Sequence, residues 1–276
     1  MDDIAVGYPD KLFHGHGTQV AIVAGGCKTG VARKANLYLI KTSEASMRSG
    51  LAESQLVAGN SVLYGFYHVV DVLLGGRGIS VPKGKAIVLL CSSLGHVDTL
   101  QQGNPRQVYD QLQNDYKNVL GVLDSLGATV IMAAGNYGGP GDLQQLPNFV
   151  PQYIDNSFPQ NLGTADSPVI MVGSTNGKGQ LSYFSSPGRG KVPVSLYAQG
   201  EAVSSYDFIT GPRLRSGTSF AAPIVVCALD PKSPRLRGAN MIRLALLLTH
   251  SGCLRIRTFV RTGKTLLPVK IRWECV

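Results

Sequence analysis

The chain has 276 residues, 44% of them hydrophobic and 16% charged, and a chain of this length can bury a core without disulfides or a metal. Its 33 glycines and 15 prolines follow no period, so collagen is excluded, and its ordinary apolar content excludes wholesale disorder. The longest apolar runs, such as residues 224–229, are far shorter than the roughly 20 residues that span a bilayer, so we expect no membrane partner.

Apolar runs alternate with helical patterns along most of the chain. The predicted elements in order are a strand at 36–41, a helix at about 51–74, a strand at 86–90, a helix that follows Pro105 and stops at Gly127, and strands at 128–133 and 168–172. Strands that alternate with helices across short turns predict an α/β fold in three layers, with a mostly parallel sheet covered by helices on both faces. In such sheets the functional site lies at the carboxyl ends of the strands.

The net charge of +9 is concentrated towards one end of the sequence. Residues 1–223 carry 16 basic and 15 acidic side chains, whereas residues 224–276 carry 10 basic and 2 acidic ones. Such a segment could contact phosphates, but it has few aromatic side chains on which bases stack, so we expect no nucleic-acid partner. We divide the chain into a main domain, residues 1–229, and a basic tail of unknown structure, residues 230–276.

The cysteines predict neither a metal site nor a disulfide framework. Five of them are scattered without CxxC spacing, and an odd number cannot be fully paired. Cys91 follows the apolar run 86–90, so we expect a buried free thiol there. Residues 1–6 have neither a basic region nor a long apolar run, so we expect no signal peptide.

Three short segments contain residue types that perform chemistry. The first, residues 14–21, places His16 at the predicted start of a helix; His14 is nearby, but without acidic or thiolate neighbours the pair is a weak metal site. The second, residues 133–139, places Asn136 after a buried strand, where its amide could donate to an oxyanion. The third, residues 215–223, places Ser219 where a glycine-containing turn enters a helix. Each segment alone is also compatible with an ordinary loop, turn or helix cap.

Taken together and in this order, the three segments resemble the subtilisin-like serine proteases (subtilases, peptidase S8 family). The matching runs are His-Gly-Thr, Ala-Ala-Gly-Asn and Ser-Gly-Thr-Ser-Phe-Ala-Ala-Pro. Residues 30–37, 93–95, 166–173 and 184–188 also resemble family segments, the last of them a surface loop. The resemblance covers about residues 14–223, and it implies a subtilisin-like three-layer fold.

The resemblance also implies a mechanism and a setting. Ser219 would be the nucleophile, His16 the general base, and Asn136 the oxyanion-hole donor together with the Ser219 N–H. The implied substrate-binding residues are Ser93, Leu94, Gly95 and Gly135. The substrate would be a polypeptide, no cofactor is identified, and structural calcium is possible by resemblance. We expect a monomer that is extracellular or vacuolar, as in the family.

The chain departs from the family pattern at both ends. The family's third catalytic member is an aspartate at the end of a buried strand, in an Asp-Thr-Gly or Asp-Ser-Gly context well before the histidine. Only Asp2, Asp3 and Asp10 precede His16, and none stands in that context. Loss of this aspartate costs roughly 10⁴-fold in turnover. We therefore expect a partial peptidase domain at residues 1–229, incomplete at both ends and impaired.

A second hypothesis is a catalytically silent protein of the subtilase fold that binds peptides. It would use the edge formed by residues 93–95 and the surroundings of Asn136. An active-site fluorophosphonate label separates the two hypotheses, because it reacts only with an activated serine.

Overall fold

The computed structural model describes residues 15–33, 35–43, 52–103, 105–139, 151–207, 211–228 and 244–250. Within them the helices are α1 (His16–Gly25), α2 (Ala52–Leu73), α3 (Val97–Gly103), α4 (Arg106–Ser125) and α5 (Thr218–Ala228). The strands are β1 (Asn36–Ser43), β2 (Ala86–Leu90), β3 (Gly95–His96), β4 (Ala128–Ala133), β5 (Ser157–Phe158), β6 (Val169–Thr175), β7 (Leu196–Gln199), β8 (Val203–Asp207), β9 (Gly211–Arg215) and β10 (Leu244–His250).

Six of these strands form one parallel sheet in the order β1-β10-β2-β4-β6-β7. Two short antiparallel pairs, β3 with β5 and β8 with β9, lie outside it. Apolar side chains of α1 and α5 pack on one face of the sheet, and those of α2 and α4 pack on the other. The prediction of a three-layer α/β fold is confirmed.

The central strands contribute to both sides of the core. In β2, Ile87 and Leu89 face α1 and α5, whereas Val88 and Leu90 face α2 and α4. All four are almost completely buried. A strand covered on both faces has no position for a polar side chain, which explains why its sequence is apolar throughout.

The predicted elements of the main domain are present, with small shifts at their ends. The strand predicted at 36–41 extends to Ser43, and the one predicted at 168–172 runs from Val169 to Thr175. The Gly127 N–H donates to the Asp124 carbonyl at 2.7 Å, so Gly127 closes α4 as predicted. No helix in the described part of the chain is both long and apolar enough to cross a membrane.

Strand β10 belongs to the segment that the sequence pattern leaves as a basic tail. It lies between β1 and β2 and is parallel to both, with Leu244 in register with Asn36 and Ala86, and Leu248 with Ile40 and Leu90. Both of its edges are therefore hydrogen-bonded, and α1 and α2 contact it. The remainder of residues 230–276 lies outside the described residues.

On the α2 and α4 face, one buried hydroxyl joins the two helices. Tyr116 of α4 is fully buried and donates to the Gly59 carbonyl of α2 at 2.7 Å. Its ring packs edge to face against Phe66 and Phe158. Burial raises the pKa of Tyr116 well above its usual value, so the hydroxyl stays a neutral donor.

We expect Tyr116→Phe to lower the free energy of unfolding by about 1–2 kcal/mol, because the buried Gly59 carbonyl loses its donor. Urea denaturation measures the change. Tyr64→Phe is the matched control, since Tyr64 lies on α2 with 72% of its surface exposed and should change stability by less than about 0.5 kcal/mol. Equal losses in the two variants would contradict the assigned role of the buried bond.

Candidate active site

His16 is the first residue of α1, directly after a glycine that makes the turn. Gly15 has a φ of +91°, a left-handed conformation that favours glycine, and its carbonyl accepts the Gln19 N–H at 2.8 Å. The half-buried His16 ring meets the Phe220 ring edge to face, with centroids 5.9 Å apart. Phe220 directly follows Ser219, so α1 brings the predicted base to the segment that carries the predicted nucleophile.

The position of α1 is fixed by packing and by one buried hydrogen bond. Ala21 of α1 and Ala222 of α5 are fully buried, and such small side chains allow the two helices to pack closely. The buried Ser205 hydroxyl of β8 donates to the Gln19 carbonyl at 3.1 Å. The β8–β9 pair, for which the sequence pattern makes no prediction, therefore supports the helix that begins at His16.

Ser219 lies in the first turn of α5. At this position its backbone N–H has no acceptor within the helix. The side chain is 8% exposed, and its Oγ donates to the Cys91 carbonyl at 2.9 Å. Cys91 comes immediately after β2, so Ser219 lies at the carboxyl edge of the sheet, where the site was predicted.

Asn136 is tied to the start of α5. It follows β4 by three residues, and its side-chain Oδ1 accepts two bonds from Thr218, one from the backbone N–H at 2.8 Å and one from Oγ1 at 3.0 Å. An amide whose oxygen is occupied in this way keeps its Nδ2 as the donor. Asn136 is exposed, so this donor is accessible to a ligand at the edge of the sheet.

Thr218 is a site residue that sequence reasoning missed. Besides its two bonds to Asn136, its Oγ1 accepts the Gly135 N–H at 3.0 Å. Thr218 is fully buried. The preceding Gly217 has a φ of +151°, and a Cβ there would come within 3.3 Å of the Asn136 Nδ2. Both residues stand in the Ser-Gly-Thr-Ser run that signalled the site, but the run alone does not reveal their contacts.

The segment 184–188, expected to be a surface loop, is buried at its centre, so that expectation is wrong. Ser186 is 1% exposed; its N–H donates to the Gly135 carbonyl at 3.0 Å, and its Oγ accepts the Tyr137 N–H at 3.1 Å. The Ser185 Oγ accepts the Ser174 N–H at 3.0 Å. The centre of the loop is buried because Ser186 pairs with backbone groups of Gly135 and Tyr137, the residues on either side of Asn136.

Ser93, Leu94 and Gly95 follow β2 at the same edge. Leu94 is fully buried and its N–H donates to the Phe158 carbonyl at 2.8 Å, so this amide is already satisfied. Ser93 Oγ lies 3.3 Å from the same carbonyl. The short β3–β5 pairing continues this contact. These contacts hold residues 93–95 next to the site.

A buried glutamine joins the ends of β2 and β4. Gln160 is 1% exposed, and its Nε2 donates to the Ser92 carbonyl at 3.0 Å and to the Ala133 carbonyl at 3.3 Å. These carbonyls belong to the segments that lead to Ser93 and to Asn136. Gln160 thus fixes the spacing between the two segments, and no sequence motif identified it.

The comparison with protein families agrees with this geometry. The model of the subtilase family, Peptidase_S8, matches residues 2–229. The chain belongs to the subtilase family. The expectation drawn from the three segments is confirmed at the level of the family and of the fold.

Similar proteins were found among curated sequences and solved structures. Subtilisin-like protease 6 of Trichophyton verrucosum is 27% identical over 224 residues, 80% of this chain, and this chain spans less than half the length of that relative, 43%. The MycP3 protease from the type VII (ESX-3) secretion system has a TM-score of 0.50 at 21% identity, covering 78% of this chain and 60% of that one. A cold adapted subtilisin-like serine proteinase has a TM-score of 0.46 at 20% identity, covering 84% and 74%.

In this subtilase the thiol beside Ser219 is buried. Cys91 is free and 6% exposed, as predicted, and burial raises its pKa well above the usual range. A thiol that stays protonated is neither a nucleophile nor a metal ligand. What Cys91 contributes to the site is its backbone carbonyl.

Several residues that the sequence analysis considered lie outside the part of the chain that the structure describes. His14, Asp2, Asp3 and Asp10 lie outside the described residues. Among the residues that the structure describes, no group of three or more His, Cys, Asp or Glu side chains is placed to hold a metal. Structural calcium therefore stays an expectation from the family.

We expect Thr218→Val to lower the free energy of unfolding by about 1–3 kcal/mol, because the Gly135 N–H loses its acceptor in a buried site. Thr218→Ser keeps the hydroxyl and should lose less than about 1 kcal/mol. Denaturation in urea compares the two variants directly. If valine and serine at this position gave the same stability, the Thr218 hydroxyl would not hold Asn136 in place.

Proposed function

We propose that this chain is a serine endopeptidase of the subtilisin type that cleaves polypeptides, with Ser219 as nucleophile, His16 as general base and Asn136 in the oxyanion hole. The observation that supports this most directly is the Thr218 bridge. Thr218, which directly precedes Ser219, orients the Asn136 amide through these bonds. One short segment therefore positions both the proposed nucleophile and a donor for the oxyanion.

Attack by Ser219 requires its hydroxyl to change partner. In the structure the Oγ–H donates to the Cys91 carbonyl. Rotation about the Cα–Cβ bond would turn the hydroxyl towards His16, which would take the proton as Oγ bonds to the peptide carbonyl carbon. His16 would then give this proton to the leaving amine, and water would release the acyl group by the same steps.

The negative charge on the tetrahedral oxygen would be received by two donors. One is the Asn136 Nδ2, which remains the donor because Oδ1 is occupied by Thr218. The other is the Ser219 N–H in the first turn of α5, where the positive end of the helix dipole adds to the field. Both would act at the place where charge develops.

An extended substrate would lie along residues 93–95. The Leu94 N–H is occupied by the Phe158 carbonyl and the Gly95 N–H by the Ser93 Oγ, so this segment would pair with a peptide through its other backbone groups, as in strand addition. Gly135, directly before Asn136, would line the other side of the scissile bond. We further propose a monomer that acts outside the cell or in a vacuole, with structural calcium.

We expect Ser219→Ala to abolish both peptide hydrolysis and labelling by a fluorophosphonate, because the attacking oxygen is removed. Ser216→Ala is the matched control, since Ser216 lies three residues earlier and is exposed. Labelled protein digested and examined by mass spectrometry would locate the modified residue. Hydrolysis that survives in Ser219→Ala would exclude the proposed function, and peptide binding by an unlabelled wild-type chain would favour the silent peptide-binding protein.

We expect Asn136→Ala to lower kcat by about 10²–10³ with little change in KM, the size of the loss when subtilisin is deprived of one such donor. Asn118→Ala, on the exposed side of α4, should leave both constants unchanged. Steady-state kinetics on a chromogenic peptide measures both. A loss confined to KM would show that Asn136 binds the substrate and does not stabilise the oxyanion.

A further inference from the structure

His96 lies between the two segments that would flank the scissile bond. It directly follows residues 93–95, along which the substrate would lie, and its backbone pairs with Ser157 in the short β3–β5 ladder. Its ring meets the Tyr137 ring edge to face, with centroids 5.5 Å apart. Tyr137 directly follows Asn136, the proposed donor to the oxyanion. One ring contact therefore connects the proposed substrate-binding segment with the loop that carries Asn136.

The segment that leads into β5 holds the backbone on both sides of this contact. The Gln152 N–H donates to the Tyr137 carbonyl at 2.8 Å. The Asn156 Oδ1 accepts the N–H of Asp98, two residues after His96, at 3.3 Å, and the Asn156 Nδ2 donates to the Gln152 Oε1 at 3.0 Å. Because these bonds link the two chain segments, the two rings are held at one edge of the site.

One nitrogen of the His96 ring has no partner in the fold. Nδ1 is buried, and no group among the described residues forms a hydrogen bond with it. Buried polar atoms are nearly always paired, because leaving one unpaired costs the hydration that it has lost. His96 as a whole is half-buried and Tyr137 is 45% exposed, so the two rings are accessible to a ligand. An unpaired polar atom next to a peptide site indicates a group whose partner is supplied by the substrate.

The position of the carbonyl under attack indicates which substrate side chain would reach this nitrogen. That carbonyl would lie at Ser219 and Asn136, with the peptide extended along residues 93–95. The residue that supplies the carbonyl would direct its side chain past Gly95 and Gly135 towards the two rings. Neither glycine has a side chain that would fill this path.

We propose that His96 is a specificity-determining residue, whose Nδ1 forms a hydrogen bond with an amide side chain (glutamine or asparagine) on the residue that supplies the scissile carbonyl; this inference rests on the proposed function. An amide has both a donor and an acceptor, so it can pair with Nδ1 in either tautomer of the ring. An apolar side chain would leave Nδ1 unpaired. A carboxylate would lose more hydration than a neutral amide on entering this half-buried site.

Steady-state kinetics test this role with three peptide substrates that differ only in that residue, which is glutamine, methionine or glutamate. We expect the full chain to cleave the glutamine substrate with a kcat/KM about tenfold or more above the values for the other two. His96→Phe keeps a ring against Tyr137 but lacks Nδ1, so the ratio of glutamine to methionine should fall to near one. His96→Asn has an amide close to the position of Nδ1 and should keep the preference for glutamine.

His68→Phe is the matched control. His68 lies on α2 and bonds to the Tyr38 hydroxyl at 2.8 Å, away from the proposed site, so this variant should keep the wild-type ratio. A wild-type ratio near one, a preference for glutamate, or a ratio that His96→Phe leaves unchanged would overturn the inference. Hydrolysis that still requires Ser219 in any of these cases would leave the proposed function intact.

A second measurement does not depend on hydrolysis. In the Ser219→Ala chain the glutamine and methionine peptides act as ligands, and calorimetry measures their Kd values. We expect the glutamine peptide to bind about tenfold more tightly, and we expect His96→Phe in the same background to remove the difference. Equal Kd values, or no binding of the glutamine peptide, would overturn the inference even if no hydrolysis were detected. Failure of fluorophosphonate labelling in the wild-type chain would overturn the proposed function alone.

Discussion

The two hydrogen bonds from Thr218 to the Asn136 side chain are the contact on which the site depends. They join the loop after β4 to the first turn of α5, two segments that the sequence separates by 82 residues. Each bond contributes about 1 kcal/mol to stability, and both also fix the geometry of the site. Because they occupy the Asn136 Oδ1, the Nδ2 remains the donor, and the position of this amide is coupled to that of Ser219. Two further bonds hold the same loop: the Gln160 Nε2 donates to the Ala133 carbonyl, and the Ser186 Oγ accepts the Tyr137 N–H.

The sheet shows why the segment beyond α5 matters to that site. Strands β1 and β2 are not adjacent, and β10 fills the space between them with pairing on both edges. Without a strand at that position, backbone donors and acceptors of both neighbours would face each other across a gap in the core, which buried polar groups do not tolerate. The same strand contacts α1 and α2 and therefore supports both layers of helices. The helix that begins at His16 is thus positioned in part by the far end of the chain.

Local patterns predicted the strands and helices of the main domain, because β2 and β4 are apolar at every position and α4 has a clear amphipathic period that ends at Gly127. Short motifs also indicated His16, Asn136 and Ser219 as the candidate catalytic residues. What the sequence did not reveal depends on distant partners. Leu244–His250 reads as an isolated apolar run among basic residues, and it becomes a strand only because β1 and β2 leave room for it. Thr218 and Ser186 resemble ordinary turn residues until their acceptors and donors are known.

The resting position of Ser219 links these observations to reactivity. Its hydroxyl is bonded to a backbone carbonyl, and a neutral bond of this kind is worth about 1 kcal/mol. An imidazole can accept the same hydroxyl hydrogen only if its unprotonated nitrogen is correctly oriented. If the ring is free to rotate, ordering it costs conformational entropy, which reduces the free energy gained from the new hydrogen bond. In the proposed mechanism, the fraction of molecules with Ser219 turned towards His16 would therefore depend on the contacts that hold the His16 ring. Since a difference of about 1.4 kcal/mol changes a population tenfold, a modest change in the contacts of the His16 ring would alter the rate of the proposed reaction without any change in Ser219 or Asn136.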